Sequence, residues 1–337
     1  MIKKFIKIIL MCAGLLTIGG VAGYFLGAGY ESNILNKKLD VIKPIREHNS
    51  SYKFIDPLLA YILPSADQQS EMASLKNKIR DIINNDEKSN NLSDASVFFY
   101  DLDRGRWVGI NENDKYSPAS MLKVVMMVSY FKKAENDSSL LNSKLFYDKK
   151  TADLVGTNIV NVPSSLIVGK SYAIEDLISE MVVDSDNGAT ALLSANADQA
   201  SLDSIYNVLN IENPKTTDNF TISPRAYSLF FRILYSATYL DKKMSEKALD
   251  ILSKTSFNAG LVAGVPKNIV VSHKFGEHVD LQDQQISRIE LHDCGIVYYP
   301  ASPYFVCVMT GGNNLNSLQN TIKNVSQAIY QNYSASK

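Results

Sequence analysis

The stretch SPASMLKVVMMVSYFKKAE, from Ser117 to Glu135, decides how the rest of the sequence is interpreted. Ser117 is a favourable N-cap, and Pro118 falls at the first helical position, where a missing N–H does no harm. The stretch is apolar on almost every side, which predicts a buried central helix. Because residues three apart share a helix face, the Ser120 hydroxyl and the Lys123 amine are expected to point the same way.

This pair of side chains is suited to nucleophilic catalysis. Burial and the positive end of the helix dipole are both expected to lower the pKa of Lys123. A lysine that has lost its proton is a base, and Ser120 beside it is then a candidate nucleophile. On this stretch alone, an ordinary helix whose lysine reaches the surface is the simpler interpretation.

Length and composition indicate a folded protein with a packed core. The chain has 337 residues, of which 45% are hydrophobic, enough for one large domain or two small ones. Its 34 basic and 35 acidic residues nearly cancel, so no basic excess is available to bind nucleic acid.

The cysteines predict neither a disulfide framework nor a zinc site. Cys12, Cys294 and Cys307 are too few for the first and lack the spacing for the second, so we expect no metal and no other cofactor. Cys294 and Cys307 flank a predicted hairpin and could face each other across it. There we expect two buried thiols in preference to a disulfide.

The N-terminus predicts a membrane anchor. After three lysines, the run from Ile8 to Tyr30 carries no charge and is long enough to cross a bilayer. It is longer than the apolar core of a cleaved signal, so we interpret residues 1–30 as an uncleaved signal-anchor, with a cleavage site near Leu26 as the alternative. The expected location is the cell membrane, with a single span and the rest of the chain outside the cytoplasm. Basic residues just after the span weaken the charge argument for this orientation.

The remaining sequence divides into a stalk and a folded domain. Residues 31–69 are polar and contain several prolines, which predicts a stalk that packs in part on the folded domain. Residues 70–337 show two strand patterns early and three late, with helical patterns between them and at both ends. This order predicts an α/β (α+β) fold with a mixed, mostly antiparallel five-stranded sheet. Residues 70–115 and 241–337 would form the α/β part and residues 116–240 an all-helical lobe.

Two short motifs follow the Ser120 helix. An S-D-N triplet begins at Ser185, between two predicted helices, and a K-x-G motif begins at Lys274, at the end of a strand pattern. With the S-x-x-K spacing of Ser120 and Lys123, they match the signature of class A β-lactamases and penicillin-binding proteins. From about residue 70 to its C-terminus, the sequence resembles these penicillin-recognising serine hydrolases. The resemblance implies a β-lactamase/transpeptidase-like fold.

The resemblance also implies catalytic roles. Ser120 would attack an amide carbonyl, and Lys123 would accept its proton. Ser185, with Lys274 nearby, would relay a proton to the leaving nitrogen. Asp186 is expected to be structural and to cap the next helix.

Substrate binding is implied for four residues: Asn187, Phe275, Gly276 and Glu277. Asn187 would contact a substrate amide and hold Lys123. The backbone N–H groups of Ser120 and Glu277 would stabilise the oxyanion.

The sequence departs from the family pattern in two places. Phe275 replaces the threonine of the usual K-T-G motif, whose hydroxyl helps to hold a substrate carboxylate in relatives. Arg288 is a candidate substitute, or else an ordinary surface arginine. Class A β-lactamases also use a glutamate to activate the deacylating water. Between Asn187 and Pro224 the only glutamate is Glu212, a candidate deacylation base that otherwise would be a solvated side chain.

Other conspicuous side chains receive no catalytic role. His273 and His278 flank the K-x-G motif, fit no zinc spacing and are expected to face solvent. Tyr116 and Trp107 are expected to pack in the fold rather than to bind a ligand.

Without a deacylation base, an acyl-enzyme formed from a β-lactam should persist. We therefore expect a membrane-anchored, extracytoplasmic serine hydrolase that acts on D-Ala-D-Ala-type cell-wall peptides, β-lactams or both. Its partner would be a peptidoglycan stem peptide or a β-lactam. The alternatives are a class A-type β-lactamase and a penicillin-binding sensor module without turnover.

Overall fold

The computed structural model describes residues 43–48, 51–62, 69–89, 92–155, 164–216, 219–283, 285–300 and 302–335. The predicted membrane span, residues 8–30, lies outside these ranges. Within them, no helix combines the length and the apolar character needed to cross a membrane.

The strands and helices follow one another along the chain in an order close to the predicted one. The strands are β1 (Lys43–Arg46), β2 (Leu58–Ile62), β3 (Asp94–Asp101), β4 (Trp107–Ile110), β5 (Lys144–Phe146), β6 (Ser171–Ala173), β7 (Val271–Gln282), β8 (Gln285–Val297) and β9 (Tyr304–Gly312). The α-helices are α1 (Gln69–Lys88), α2 (Lys123–Ala134), α3 (Lys149–Ala152), α4 (Ile174–Val183), α5 (Asn187–Ala195), α6 (Gln199–Leu209), α7 (Pro224–Tyr235), α8 (Lys242–Leu252) and α9 (Leu315–Ala335).

A five-stranded sheet joins the two ends of the domain. Its strand order is β4-β3-β9-β8-β7, and every neighbouring pair is antiparallel. Early strand β3 pairs with late strand β9, so the prediction of one sheet completed from both ends is confirmed. The sheet is wholly antiparallel rather than mixed.

Alternate residues of the central strands pack into two separate hydrophobic cores. On one face, Val97 and Val306 pack with helices α1 and α9, and on the other, Phe98 and Phe305 pack with α2 and α7. The apolar positions of α9 recur at helical spacing, at Leu318, Ile322, Val325 and Ile329, and all are fully buried.

Helix α2 is the centre of the helical lobe. It packs against α4, α6 and α8, and its residues Val124, Val125, Met127 and Val128 are at most 1% exposed. The prediction of a buried central helix is confirmed. The small β5–β6 sheet of this lobe was not predicted, because strands of three residues are too short to show an alternating pattern.

Part of the predicted stalk belongs to the folded domain. Strands β1 and β2 form a hairpin, and Phe54 and Ile55 between them are buried in the core of the helical lobe. Arg46 is 7% exposed and donates two hydrogen bonds, of 3.0 and 2.7 Å, to the carbonyl of Leu102. Within residues 31–69, the described segments therefore pack more extensively than a stalk would.

Cys294 and Cys307 lie opposite each other on β8 and β9 and form a disulfide. The expectation of two buried thiols was therefore wrong. Both cysteines sit on the face of the sheet that packs against the helical lobe, where direct pairing across the strands brings their sulfurs together.

Candidate active site

Ser120 lies in a tight turn that leads into helix α2. Residues Ala119–Leu122 form a 3-10 helix, and α2 begins only at Lys123. Pro118, and not Ser117, is the capping residue, and it makes no side-chain cap. Ala119 has a φ of +44°, an uncommon backbone conformation for a residue other than glycine. The expected cap at Ser117 was therefore wrong, because this turn is held by residues from another element.

Strand β8 holds the turn through Glu290 and His292. The Ser117 N–H donates to Glu290 Oε2 at 3.0 Å, and Ser117 O lies 3.1 Å from His292 Nε2. The Thr310 N–H donates to His292 Nδ1, so the other nitrogen carries the proton and donates to Ser117. Sequence analysis missed both residues, although two polar side chains in a buried strand were a signal.

Gly276 lets β7 approach the same turn. A Cβ on Gly276 would lie 2.6 Å from the Pro118 carbonyl oxygen and 2.9 Å from Met121 Cγ. Only a glycine fits at this distance. The close approach places Glu277, the next residue, in the same cleft wall as Ser120.

Lys123 connects the turn to the S-D-N triplet. Its amine lies 2.6 Å from the Ser185 carbonyl oxygen, 3.0 Å from the Ser185 hydroxyl and 2.9 Å from Asn187 Oδ1. Burial lowers the pKa of Lys123 to about 8, although the charges of Asp186 and Glu277 act in the opposite direction. In the described part of the chain, none of its hydrogen bonds goes to Ser120, which lines the same cleft.

These contacts can satisfy a neutral lysine. The Ser185 carbonyl and Asn187 Oδ1 can only accept hydrogen bonds, whereas the Ser185 hydroxyl can donate or accept. A neutral Lys123 would donate its two N–H bonds to the first two oxygens and accept from the hydroxyl. The site therefore accommodates the protonation state that a base requires.

Asp186 has the structural role that was predicted. Its Oδ1 accepts from the Ala189 N–H at 2.8 Å and caps helix α5, and its Oδ2 accepts from the Ser165 N–H at 2.8 Å. The preceding residue, Ser185, has a φ of +58°. This left-handed residue lies between the end of α4 and the start of α5, where the side chains of Ser185 and Asn187 contact Lys123.

Lys274 is fully buried beneath Phe275. Among the described residues its amine has no hydrogen-bond partner, and it lies 4.0 Å from the centre of the Phe275 ring. Burial, followed by the charge of Lys123, lowers the pKa of Lys274 well below its ordinary value. The Phe275 ring in turn stacks on Phe257, with centres 4.4 Å apart. In this structure no hydrogen bond therefore joins Lys274 to Ser185, as the implied proton relay would require.

Of the four catalytic candidates, Ser120 and Lys123 line a cleft of about 1160 Å³, whereas Ser185 and Lys274 do not. Its polar lining comprises Ser120, Lys123, Asn187, Thr190, Ser194, Glu277 and His278. The rest is largely apolar, and three of the apolar residues are strongly exposed at its rim: Leu154 by 67%, Leu281 by 66% and Ile286 by 55%.

Glu212 and Arg288 lie outside this cleft. The side chain of Glu212 is 49% exposed and pairs with Lys115 at 3.5 Å, so it is placed as a solvated ion pair and not as a deacylation base. Arg288 donates to both oxygens of Asp94, at 2.7 and 2.9 Å, and to Glu290. These carboxylates hold it away from the K-x-G motif, so it does not replace the missing threonine.

The expectation for His273 was also wrong. It is 1% exposed, and its Nδ1 lies 2.7 Å from Asp293 Oδ1 on the neighbouring strand. A carboxylate partner lets an imidazole be buried. His278 has a partly exposed side chain next to Asp280, and no cluster in the described ranges could hold a metal ion.

Comparison with known proteins gives the same fold. The sequence model of the β-lactamase enzyme family matches residues 74–333. PBP-A is 23% identical, with a TM-score of 0.64 over 77% of this chain and 97% of that one. A variant of PBP-A, solved as an acyl-enzyme complex with penicillin G, gives the same identity and TM-score.

Two β-lactamases are also similar in structure. The enzyme from Chitinophaga pinensis DSM 2588 is 18% identical, with a TM-score of 0.63 over 78% of this chain and 100% of that one. The extended-spectrum β-lactamase TLA-1 is 17% identical, with a TM-score of 0.66 over 78% and 99%. No curated protein matches the sequence.

Proposed function

The chain belongs to the β-lactamase enzyme family, and on this basis we propose that it is a serine hydrolase that works through an acyl-enzyme and acts on D-Ala-D-Ala-type cell-wall peptides, β-lactams or both. The observation that carries the proposal is the environment of Lys123. A buried amine with a pKa of about 8 bridges Ser185 and Asn187 in the cleft that Ser120 lines.

Acylation would proceed in two proton transfers. Lys123 accepts the hydroxyl proton of Ser120 as its oxygen bonds to the carbonyl carbon. When the carbon–nitrogen bond breaks, the Ser185 hydroxyl gives its proton to the leaving nitrogen and recovers one from Lys123, 3.0 Å away. The backbone N–H groups of Ser120 and Glu277 are the proposed oxyanion donors.

The cleft offers few side chains that could act as the base for deacylation. Among the described residues that line it, Glu277 is the only carboxylate, and Glu212 is absent from the lining. We therefore favour a slowly deacylating peptidase over an efficient β-lactamase. A similar fold, that of a PBP-A variant, has been solved as an acyl-enzyme with penicillin G, which supports the preference for a slowly deacylating enzyme.

We also propose that the domain lies outside the cytoplasm, anchored by residues 1–30. Two observations support this location: the charge-free run from Ile8 to Tyr30 and the disulfide between Cys294 and Cys307. Protease treatment of intact spheroplasts should degrade the domain, whereas protection until lysis would contradict the proposed orientation.

The acyl-enzyme is tested by mass spectrometry of the full chain after mixing with a fluorescent penicillin. We expect an adduct on Ser120 that lasts for hours, and none in Ser120→Ala, whose circular dichroism should be unchanged. An adduct that disappears while hydrolysed penicillin accumulates would indicate a β-lactamase. Absence of both adduct and product would contradict penicillin recognition.

A further inference from the structure

We infer that this cleft selects acyl donors whose leaving group carries no free carboxylate beside the scissile bond. The preferred leaving groups would end in an amide or an ester, or continue as a peptide chain. The inference rests on the proposed acyl-transfer function and narrows its substrates. D-Ala-D-Ala-type peptides with a free C-terminus and β-lactams carry such a carboxylate and would acylate Ser120 slowly, whereas donors without it would react faster.

The first argument is the replacement of the K-x-G hydroxyl by an aromatic ring. Phe275 can donate no hydrogen bond to a carboxylate. Its ring lies 4.0 Å from the Lys274 amine and is held there by stacking on Phe257. Lys274 is 0% exposed and does not line the cleft, so its amine is not available to a substrate carboxylate in this structure.

The second argument is that the described residues of the cleft wall offer no unpaired cation to a substrate carboxylate: His278, which lines the cleft, is paired with Asp280 at 3.1 Å. No arginine is among the described residues that line the cleft. Arg288, the one arginine of strand β8, is bound to Asp94 and Glu290. Lys123 cannot serve as a fixed positive charge either, because it acts as a base only when it is neutral.

The third argument is the carboxylate of Glu277. It lines the cleft with Ser120, and its charge acts on both Lys123 and Lys274. At 8% exposure it is poorly screened by water, so a second carboxylate nearby would be repelled. The apolar remainder of the cleft, including Met126, Val279 and Leu281, also favours an uncharged group.

The test compares two thioester donors that differ in one group. Benzoyl-D-alanyl thioesters of mercaptoacetate and of mercaptoacetamide present the same acyl group, and only the first leaving thiol carries a carboxylate. Loss of thioester absorbance gives kcat/KM, which is corrected for the spontaneous hydrolysis rate of each donor. For the full-length protein we expect the amide donor to react at least about tenfold faster.

The variants assign the preference to the two residues. In Phe275→Thr/Glu277→Gln, the ratio of kcat/KM for the carboxylate donor to kcat/KM for the amide donor should rise about tenfold, since any change in Lys123 or in the oxyanion site affects both donors alike. Glu87→Gln, on helix α1 across the sheet, removes the same charge far from the cleft and should leave the ratio unchanged. If the double variant does not fold, the isosteric Glu277→Gln serves instead, with the same direction of change expected in the ratio.

The outcomes separate the inference from the function on which it rests. If neither donor reacts faster than with Ser120→Ala, the acyl-transfer function fails. If the carboxylate donor is preferred, or if the ratio is the same in the variants as in the parent protein, only the inference fails. A penicillin carries a carboxylate beside its leaving nitrogen, so it should also acylate Ser120 more slowly than its methyl ester does.

Discussion

At neutral pH an ordinary lysine is protonated and cannot act as a base. Lys123 differs because its amine is buried among polar groups, which leaves a larger neutral fraction at that pH than in an ordinary lysine. Burial lowers its pKa to about 8, while three oxygen contacts hold the amine in place in either protonation state. The same residue can therefore accept a proton from Ser120 and return one through Ser185.

This pKa predicts how acylation depends on pH. Only neutral Lys123 accepts a proton, so the second-order acylation rate should rise about tenfold per pH unit below the pKa and level off above about pH 8. Stopped-flow acylation by a fluorescent penicillin, from about pH 6 to about pH 10, measures the profile. Lys123→Ala should lower the plateau by about two to four powers of ten. A flat profile in the full-length protein would show that another group is the base.

At the scale of elements, the site is made where β7 and β8 meet the turn before α2. Strand β8 binds the turn through Glu290 and His292, and β7 approaches it at Gly276. The position of Ser120 is thus fixed by strands β7 and β8 rather than by its own helix. A small displacement of these strands should harm catalysis more than folding.

Gly276→Ala tests this dependence. The added Cβ would lie 2.6 Å from the Pro118 carbonyl oxygen, so β7 must move away from the turn. We expect acylation to slow by about two powers of ten, with circular dichroism unchanged.

The control is Gly109→Ala in β4, where the three atoms nearest to the added Cβ all belong to the flexible side chain of Glu112. It should acylate at the parent rate. Equal rates in both variants would mean that the close approach of β7 is not needed for catalysis.

The same elements show what a sequence can and cannot predict. Ser120 and Lys123 could be paired because they are neighbours on one turn, and short motifs pointed to Ser185 and Asn187. The supports of that turn could not be found in this way, because Glu290 and His292 lie 173 and 175 positions from Ser117.

His273 was misplaced for a similar reason. Its strand is at the edge of the sheet, and alternation does not say which face of an edge strand is covered. Its partner Asp293 comes from the next strand. Glu212 was a candidate deacylation base only because the sequence does not show whether its loop faces the cleft or the solvent.

On the scale of the whole molecule, Arg46 of strand β1 contacts segments that are distant from one another along the chain. Arg46 of β1 donates to the carbonyls of Leu102, after β3, and of Asp56, and to the hydroxyl of Ser236, after α7. Its guanidinium also lies 4.7 Å from the centre of the Tyr235 ring. The hairpin is therefore bound to both the sheet and the helical lobe, far from the cleft.

Arg46→Ala should thus weaken the fold without changing the chemistry. It leaves several buried acceptors without a partner, so the free energy of unfolding should fall by about 2 to 3 kcal/mol. Urea denaturation of the full chain, followed by the fluorescence of its one tryptophan, Trp107, measures the loss. Arg80→Ala on α1 removes an exposed arginine and should cost less than about 0.5 kcal/mol. The pH midpoint of acylation should stay at about 8 in both variants, since neither arginine contacts Lys123. An unfolding free energy equal to that of Arg80→Ala would mean that the hairpin rests on the domain without stabilising it.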